Sequence, residues 1–598
     1  MTRVAQVAFA LLVVATFGAF FVAQRLKAAP SLVLEAKARP LFSPNQDGRK
    51  DRARWSFMLK RDDQMSVRVV DDDGDAVRTL ADRRNIEAYT RQGFDWDGAT
   101  DAGAMAPDGT YRLRLSLRRQ GRSITIAAVE KDTTPPSPEV ISIGPEDDPG
   151  PEVLPRADGD PAEVRVSVPG TNRELEVWRT DVRPAQRVIG PRELPDGDQV
   201  QRWRWNATDD EGQPVPAGTY LVVARSRDAA GNIGESVARL PPAPGYGEGL
   251  EGRGGVQVRY LSAQALHAPA AAREPMMIAV GSPGGDFAWT VRRAGQREIR
   301  KDGSGSRSRL VRFRAPGGRS GLYIFEARTP GGDVARTPFY VQGDKAGDVL
   351  VILPAITWQG RNRVDDDGDG WPDTLEHGLP VDTRRPYAGG ELPRDLRELA
   401  APLLIALDRE GLRYEVTTDL ALARGAGPGL EGREGVVLAG EVRWLPDEAQ
   451  RALRTFVQRG GGVLVTGPDS LRRSAQVTPS RVVEPRPAAA RTLFGARLAP
   501  VRRASTTVTA TQDEIQLFAD TGGTFAGFGA FEETLDLAGG TKLTAVAVTQ
   551  EGARSVIVGA RLGKGLVLRT GLPELPVRAG DDPELTTLLR RMWTLLGG

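Results

Sequence analysis

Between Tyr111 and Leu117 the chain alternates: Tyr111, Leu113, Leu115 and Leu117 are large and apolar, and Arg112, Arg114 and Ser116 between them are polar. A period of two turns one set toward a core and the other toward water, so the segment predicts an antiparallel strand with one wet face. The stretch leading into it recurs. WDGATDAGAMAPDGTY (Trp96 to Tyr111) and WNATDDEGQPVPAGTY (Trp205 to Tyr220) lie 109 residues apart, and each has Gly seven, Pro eleven, Gly thirteen and Tyr fifteen residues after its Trp. The Trp closes one strand, the Asp/Gly-rich run turns, Pro-x-Gly turns again and the Tyr opens the next strand. Short alternating strands at this spacing predict two β-sandwiches of about a hundred residues each. DTTPP, Asp132 to Pro136, is a stiff, extended linker between them. Segments such as VQVRY and GLYIFEAR predict a third β-rich domain, with His267 as a surface histidine within it.

From Asp348 the pattern changes to short continuous apolar runs separated by helical stretches, the pattern of a parallel sheet covered on both faces. DVLVILP, LRYEVTTD, GVVLAG and GVLVTG read as strands, RELAAPLLIALDREG and LPDEAQRALRTFVQRGG as helices, RSVIVGARLGKGLVLRTG as a hairpin and PELTTLLRRMWTLL as a closing helix. Residues 484–547 are ambiguous between strands and loops. At the other end, Val4 to Ala23 carries no charge and is flanked by Arg3, Arg25 and Lys27. That length predicts a transmembrane signal anchor, with a cleaved signal peptide as the alternative. The predicted organisation is an anchor (1–33), two Ig-like sandwiches (34–134 and 135–245), a third β-rich domain (246–343) and a doubly wound α/β domain (344–598).

Composition removes several functions. A net charge of +2 without a basic stripe gives no field for nucleic acid, and the absence of cysteine excludes disulfides, thiolate metal sites and cysteine nucleophiles. One segment carries clear ligand chemistry. In DDDGDGWPDTLE, Asp365, Asp367, Asp369, Asp373 and Glu376 occupy positions 1, 3, 5, 9 and 12 of a calcium loop, Gly370 takes the turn at 6 and Trp371 offers its carbonyl at 7. The preceding run reads as a strand and Pro372 stands at position 8, which argues for a structural ion rather than a sensor. A weaker second loop has Ser43, Asn45, Asp47 and Asp51 at positions 1, 3, 5 and 9, but Arg54 at 12. Asp71, Asp72, Asp73 and Asp75 around Gly74 predict a hairpin turn.

These residues resemble known families. FSPNQDGRKD, VVDDDGDAVRTL and WDGATDAG…PDGTY are similar to the Ig-like modules of flagellar hook-capping proteins and of secreted bacterial proteins, which implies a spacer or adhesive role. The loop 365–376 resembles the calcium repeats of extracellular thrombospondin-type proteins. VLVILPAITWQGRN, LLIALDREGLRYEVTTDLAL and FVQRGGGVLVTG resemble the class I glutamine-amidotransferase-like fold, and within it the C-terminal domain of the large subunit of N,N-dimethylformamidase. The resemblance implies a cysteine nucleophile where this chain has Thr466, Gly467 and Pro468. It also implies an iron site of tyrosines and a glutamate, with a tyrosine where Gly360, Arg361 and Asn362 stand and with Glu441 or Trp444 as remnants.

The sequence thus predicts a membrane-anchored, extracytoplasmic binding or scaffolding protein, its α/β domain calcium-stabilised and catalytically degenerate. Its partners are the membrane and a cell-envelope polymer or protein. Two alternatives stand beside it. One is a hydrolase of amide or glycan material using Trp358, Gln359, Glu441 and His377, with His377 and Glu441 as acid–base candidates. The other is an adhesin or envelope-assembly factor that works through its Ig-like repeats.

Overall fold

The computed structural model describes residues 8–9, 11–20, 32–144, 161–195, 197–238, 254–345 and 347–597. The first sandwich packs a three-stranded sheet (Val33–Ala38, Ala53–Leu59, Gln92–Trp96) on a five-stranded one that includes Asp63–Val70, Gly109–Leu117 and Arg122–Lys131. Tyr111, Leu113, Leu115 and Leu117 are buried in its core, as their alternation predicts. The Asp71 to Asp75 run is a hairpin turn, in which Gly74 N–H donates to the Asp71 carbonyl at 3.1 Å.

The repeated motif is a repeated structure. Trp96 Nε1 donates to the Ala99 carbonyl and Trp205 Nε1 to the Thr208 carbonyl, both at 2.8 Å. The Tyr111 hydroxyl donates to the Pro107 carbonyl at 2.7 Å, and the Tyr220 hydroxyl to that of Pro216 at 2.6 Å. In each copy the Tyr ring meets its Trp edge-on, with centroids 4.7 Å and 5.3 Å apart. A buried indole N–H and a buried phenol each need a partner, and the turn supplies both from its own backbone. The spacing of the motif is therefore the spacing of its hydrogen bonds.

The second sandwich is built on Ala162–Ser167, Thr171–Arg179, Val200–Trp205 and Gly218–Arg227, and Gly255–Val258 joins its edge by pairing with Gly218 to Leu221. The third packs Ser262–Ala265, Pro275–Gly281 and Arg309–Arg314 on a five-stranded sheet containing Asp286–Arg293, Gly321–Arg328 and Val334–Gln342. Its Arg293 reaches out to Asp408, with two hydrogen bonds of 2.7 Å, and ties this sandwich to the C-terminal unit.

In the C-terminal unit one nine-stranded sheet is formed by β1 (Val349–Leu353), β2 (Glu415–Thr418), β3 (Gly435–Leu438), β4 (Gly462–Val465), β5 (Arg502–Asp513), β6 (Thr524–Phe531), β7 (Leu543–Thr549), β8 (Ser555–Leu562) and β9 (Gly565–Thr570). Their order is β2-β1-β3-β4-β9-β8-β7-β5-β6. This corrects the predicted fold class. The chain is 44% strand and 14% helix, and the described residues form no doubly wound α/β domain. The pairs from β2 through β9 are parallel, but β9, β8, β7, β5 and β6 continue the sheet as an antiparallel array. The cause lies in residues 502–549, whose Thr/Val/Ala-rich runs 504–511 and 544–549 form strands in place of further strand–helix units. Helices of eight or more residues in this unit, among the described residues, are Ala401–Arg409, Asp447–Gln458 and Pro583–Leu595.

The predicted membrane-spanning helix is corrected too. Of Val4 to Ala23, residues 8–9 and 11–20 are described and helical, the rest lying outside the described residues. Among the described residues no helix is long and apolar enough to cross a membrane.

The first two sandwiches meet at a polar hub. Asn232 is 2% exposed. Its Oδ1 accepts from Ser43 Oγ at 2.5 Å and from Asn45 Nδ2 at 3.3 Å, while its Nδ2 donates to the Asp132 carbonyl at 2.9 Å and to Asp228 Oδ2 at 2.8 Å. One side chain thus holds the FSPN loop, the linker and a turn of the second sandwich. Asn232→Ala is expected to cost about 2 kcal/mol by leaving buried groups unpaired. Limited proteolysis should then cut the Asp132 to Pro136 linker faster than in the unaltered protein, with unchanged cleavage rates arguing against the hub.

Candidate functional site

The loop 365–376 folds as its aspartates dictate. Asp365 turns its carboxylate inward, where Oδ1 accepts from Asp367 N–H at 3.2 Å and Gly368 N–H at 2.6 Å, and Oδ2 from Gly370 N–H at 2.8 Å. Gly368 and Gly370 have φ of 79° and 85°, conformations that suit glycine. Asp367 accepts from Asp369 N–H and Asp369 from Trp371 N–H. A bridge between Val364 and Asp373 closes the loop, and Asp373 Oδ2 accepts from Asp366 N–H at 2.5 Å.

Asp365, Asp367 and Asp373 each bring a carboxylate oxygen within 4.8 Å of the others. Asp369 stands outside that group. Glu376 turns away, accepting from Arg443 Nη1 at 2.8 Å and pairing with Arg361 Nε at 3.2 Å. The Trp371 indole lies on Leu221 and Val223 of the second sandwich. Burial, reinforced by neighbouring carboxylates, pushes Asp365 well above the ordinary carboxylate value, and Asp369 and Asp373 up to about 7. Arg385 pairs with Asp366 at 2.9 Å. The converging set is all hard oxygen with uncompensated negative charge, and such a set fits calcium.

The loop is also the seam between two units. Gly255 N–H donates to the Gly368 carbonyl at 2.9 Å, and Thr180 Oγ1 to the Gly370 carbonyl at 2.5 Å. At Gly255 a Cβ would lie 2.4 Å from Asp365 Oδ2 and 2.5 Å from Gly370 N, so the edge strand approaches closely only because that residue has no side chain.

The weaker loop uses its side chains differently. Ser43 is buried and committed to Asn232, Asn45 Oδ1 accepts from Asp47 N–H, Asp47 Oδ1 from Arg49 N–H, and Asp51 from Gln46 and Gly48 N–H. Their side-chain oxygens are thus engaged by the turn itself and by Asn232.

Beyond the carboxyl ends of β1 and β3 lies a cleft of about 1070 Å³, walled by the C-terminal unit and by Arg179, Asp181 and Ala217 of the second sandwich. Trp358 and Glu441 line it. Gln359 is buried beneath, donating to the Arg385 carbonyl at 3.1 Å, and His377 contacts Arg183 of the sandwich through Nε2 at 2.6 Å. The four residues named for hydrolysis therefore do not converge. Sequence reasoning missed Asp395, buried at the cleft wall, which accepts from Trp358 Nε1 at 2.5 Å and from Glu441 N–H at 2.8 Å. Burial raises its pKa to about 6. Only its place after a Pro-Arg pair at a helix start marked it, a weak signal.

Where a nucleophile was implied, Gly467 packs against Gly440 so closely that a Cβ would fall 1.9 Å from the Gly440 carbonyl oxygen. Ser470 is buried, donating to the Gly467 carbonyl at 2.8 Å and accepting from Val442 N–H at 3.0 Å. It is a structural serine.

His267 departs from the surface reading. Its Nε2 bonds the Thr383 carbonyl at 3.0 Å and its own carbonyl accepts from Thr418 Oγ1 at 3.0 Å, joining the third sandwich to the C-terminal unit.

Residues 310–529 match the family described as N,N-dimethylformamidase beta subunit-like, C-terminal. No curated protein matches the chain. Among solved structures, an exo-β-1,4-mannosidase from Opitutaceae bacterium strain TAV5 is 13% identical over 42% of this chain and 36% of its own, with a TM-score of 0.22. The mixed-linkage glucan utilization locus protein SGBP-B of Bacteroides ovatus is 17% identical over 48% of this chain and 63% of its own, with a TM-score of 0.16. A C-terminal fragment of intimin is 9% identical over 40% and 69%, with a TM-score of 0.20. The chain spans less than two thirds of the length of the first two.

Two outcomes follow. Gly255→Ala is expected to cost about 1–3 kcal/mol by forcing the seam apart, seen as a lower unfolding midpoint, and an unchanged midpoint would show that the seam has slack. For His267, burial lowers the pKa from 6.5 to about 4. The unfolded chain then binds the proton first as pH falls, so stability should drop between those values. Urea titrations at several pH values should show this slope, and His267→Gln should flatten it; an unflattened slope assigns the effect to other groups.

Proposed function

We propose that this chain is an extracytoplasmic binding and scaffolding protein, in which β-sandwiches carry a dimethylformamidase beta subunit-like C-terminal domain that binds at its cleft without catalysing a reaction. The observation behind this reading is the tight contact between Gly467 and Gly440, which leaves no room for a side chain at position 467, where the resemblance implied a nucleophile. The scatter of Gln359 and His377 away from the cleft supports it. What remains at the strand ends is a large cleft, shared with a sandwich and lined by both charged and apolar groups, that suits ligand binding.

A structural calcium ion completes the reading. Asp365, Asp367 and Asp373 would hold it, and Asp369, the Trp371 carbonyl and Glu376 are the further ligands that the loop spacing offers. The ion would neutralise the buried carboxylates at the seam and hold the second sandwich against the cleft-bearing unit.

At calcium a hundredfold above its dissociation constant, binding to the folded state alone stabilises by about 2.7 kcal/mol. Calcium should therefore raise the melting temperature of the purified protein, and a chelator should reverse the rise. Asp367→Ala should abolish it without lowering the calcium-free midpoint, since Asp367 is exposed. Identical melting with and without calcium would remove the ion from the proposal.

A further inference from the structure

We infer that the cleft between the second sandwich and the C-terminal unit takes an acidic peptide segment, an inference that rests on the binding role proposed above. Of the cleft's carboxylates, Asp181 is held by Arg179, Glu391 by Arg336, Glu398 by Arg394, and Glu441 by Arg361 and Arg443. Asp395 and Glu574 accept from N–H groups, the latter from Gly529. Each of these carboxylates therefore has a partner within the protein.

The cations are not balanced in the same way. Arg363, Arg397 and Arg503 line the cleft, and among the described residues none of them forms an ion pair with a carboxylate. Arg363 is half-buried beside Arg179 and Arg183, with one long contact of 3.5 Å to the Thr180 carbonyl. Burial is the main cause that lowers its pKa, while Asp181 acts against the two guanidiniums, and among the described residues no carboxylate oxygen lies within ion-pair distance of it. Arg397 and Arg503 are exposed on the C-terminal unit. A guanidinium offers several N–H donors in a planar fork and accepts nothing, so the cleft presents donors to its ligand. The complementary ligand is rich in acceptors and negatively charged.

The rest of the lining selects among anions. A neutral or acidic sugar commonly rests on an exposed aromatic face, but the cleft's Trp358 and Tyr387 are 3% and 7% exposed. The exposed apolar surface is aliphatic instead: Val501 and Val577 are 43% and 50% exposed, with Pro573 beside them in the lining. Aliphatic patches among unpaired arginines match a chain that alternates carboxylates with aliphatic side chains. A peptide with Asp or Glu interleaved with Leu or Val has that chemistry.

The test uses the full chain and a fluorescein-labelled decapeptide of alternating Glu and Leu, read by fluorescence anisotropy. Saturable binding is expected, weakened by salt. It should weaken by about tenfold or more in Arg397→Glu, Arg503→Glu, as reversal of two exposed charges at a charged interface would produce. Both sites are exposed, so the variant should melt as the unaltered protein does, which separates lost binding from lost fold. The matching Lys-Leu peptide should not bind. Equal binding of a Ser-Leu peptide would overturn the anionic inference and leave the binding cleft standing. Tighter, arginine-dependent binding of oligogalacturonate would overturn the peptide in favour of an acidic glycan. Binding that persists in the double variant would place the site elsewhere, and no binding of any of these probes would count against both the inference and the cleft's binding role.

Discussion

The arrangement of this molecule depends on one buried carboxylate. Asp365 gathers three backbone N–H groups of its own loop, and that compact turn is the surface on which the edge strand of the second sandwich rests. The fit tolerates no side chain at Gly255. Burying an anion is expensive unless it is hydrogen-bonded or paired, and N–H donors alone leave Asp365 with its charge opposed by Asp367, Asp369 and Asp373. The seam is therefore both tightly packed and electrostatically incomplete. The calcium ion proposed above would supply the missing positive charge at this seam.

The same design appears at the other end of the second sandwich. There the FSPN loop of the first sandwich docks through Ser43 and Asn45 on Asn232, and Arg227 approaches Asp47 at 3.6 Å. A polar, turn-rich loop from each neighbour thus grips the central sandwich. The third sandwich uses a buried ion pair instead, with Arg293 gripping Asp408 while the Tyr414 hydroxyl donates to the same carboxylate at 3.0 Å. Domains joined by such fitted contacts hold their relative positions better than linkers alone would, and a cleft formed between two of them requires that.

Local regularities were legible in the sequence. Alternation gave Tyr111 to Leu117 its buried face, and the Trp-to-Tyr spacing gave two equivalent turns, because both effects are decided within a few residues. The aspartate spacing likewise gave the turn at Gly370, whose conformation the neighbouring side chains enforce. What escaped reading depends on distant partners. Nothing near Glu376 announces that Arg361 and Arg443 will claim it, and nothing near His267 announces Thr383. The sheet failed for a related reason: residues 502–549 carry strand-forming side chains, but whether they extend a parallel sheet or fold back antiparallel is decided by the pairing of β7 with β8, which lies later in the chain and reaches the parallel strands through β9. Asp395 was missed because a single carboxylate at a helix start looks like a cap, and its burial comes from the Gly440 turn approaching from another element.

Loop and cleft also belong to one charge network. Arg361 binds Glu376 of the loop and Glu441 of the cleft, and Arg443 binds both of these carboxylates and lies 3.6 Å from Asp469. Glu441 in turn places its N–H on Asp395, whose other oxygen holds the Trp358 indole. The wall of the cleft is thus fixed by side chains that end on the loop, and the loop is fixed by the sandwich that forms the opposite wall. The carboxylates of the cleft wall are thus employed in holding geometry, while Arg397 and Arg503 stay exposed on it.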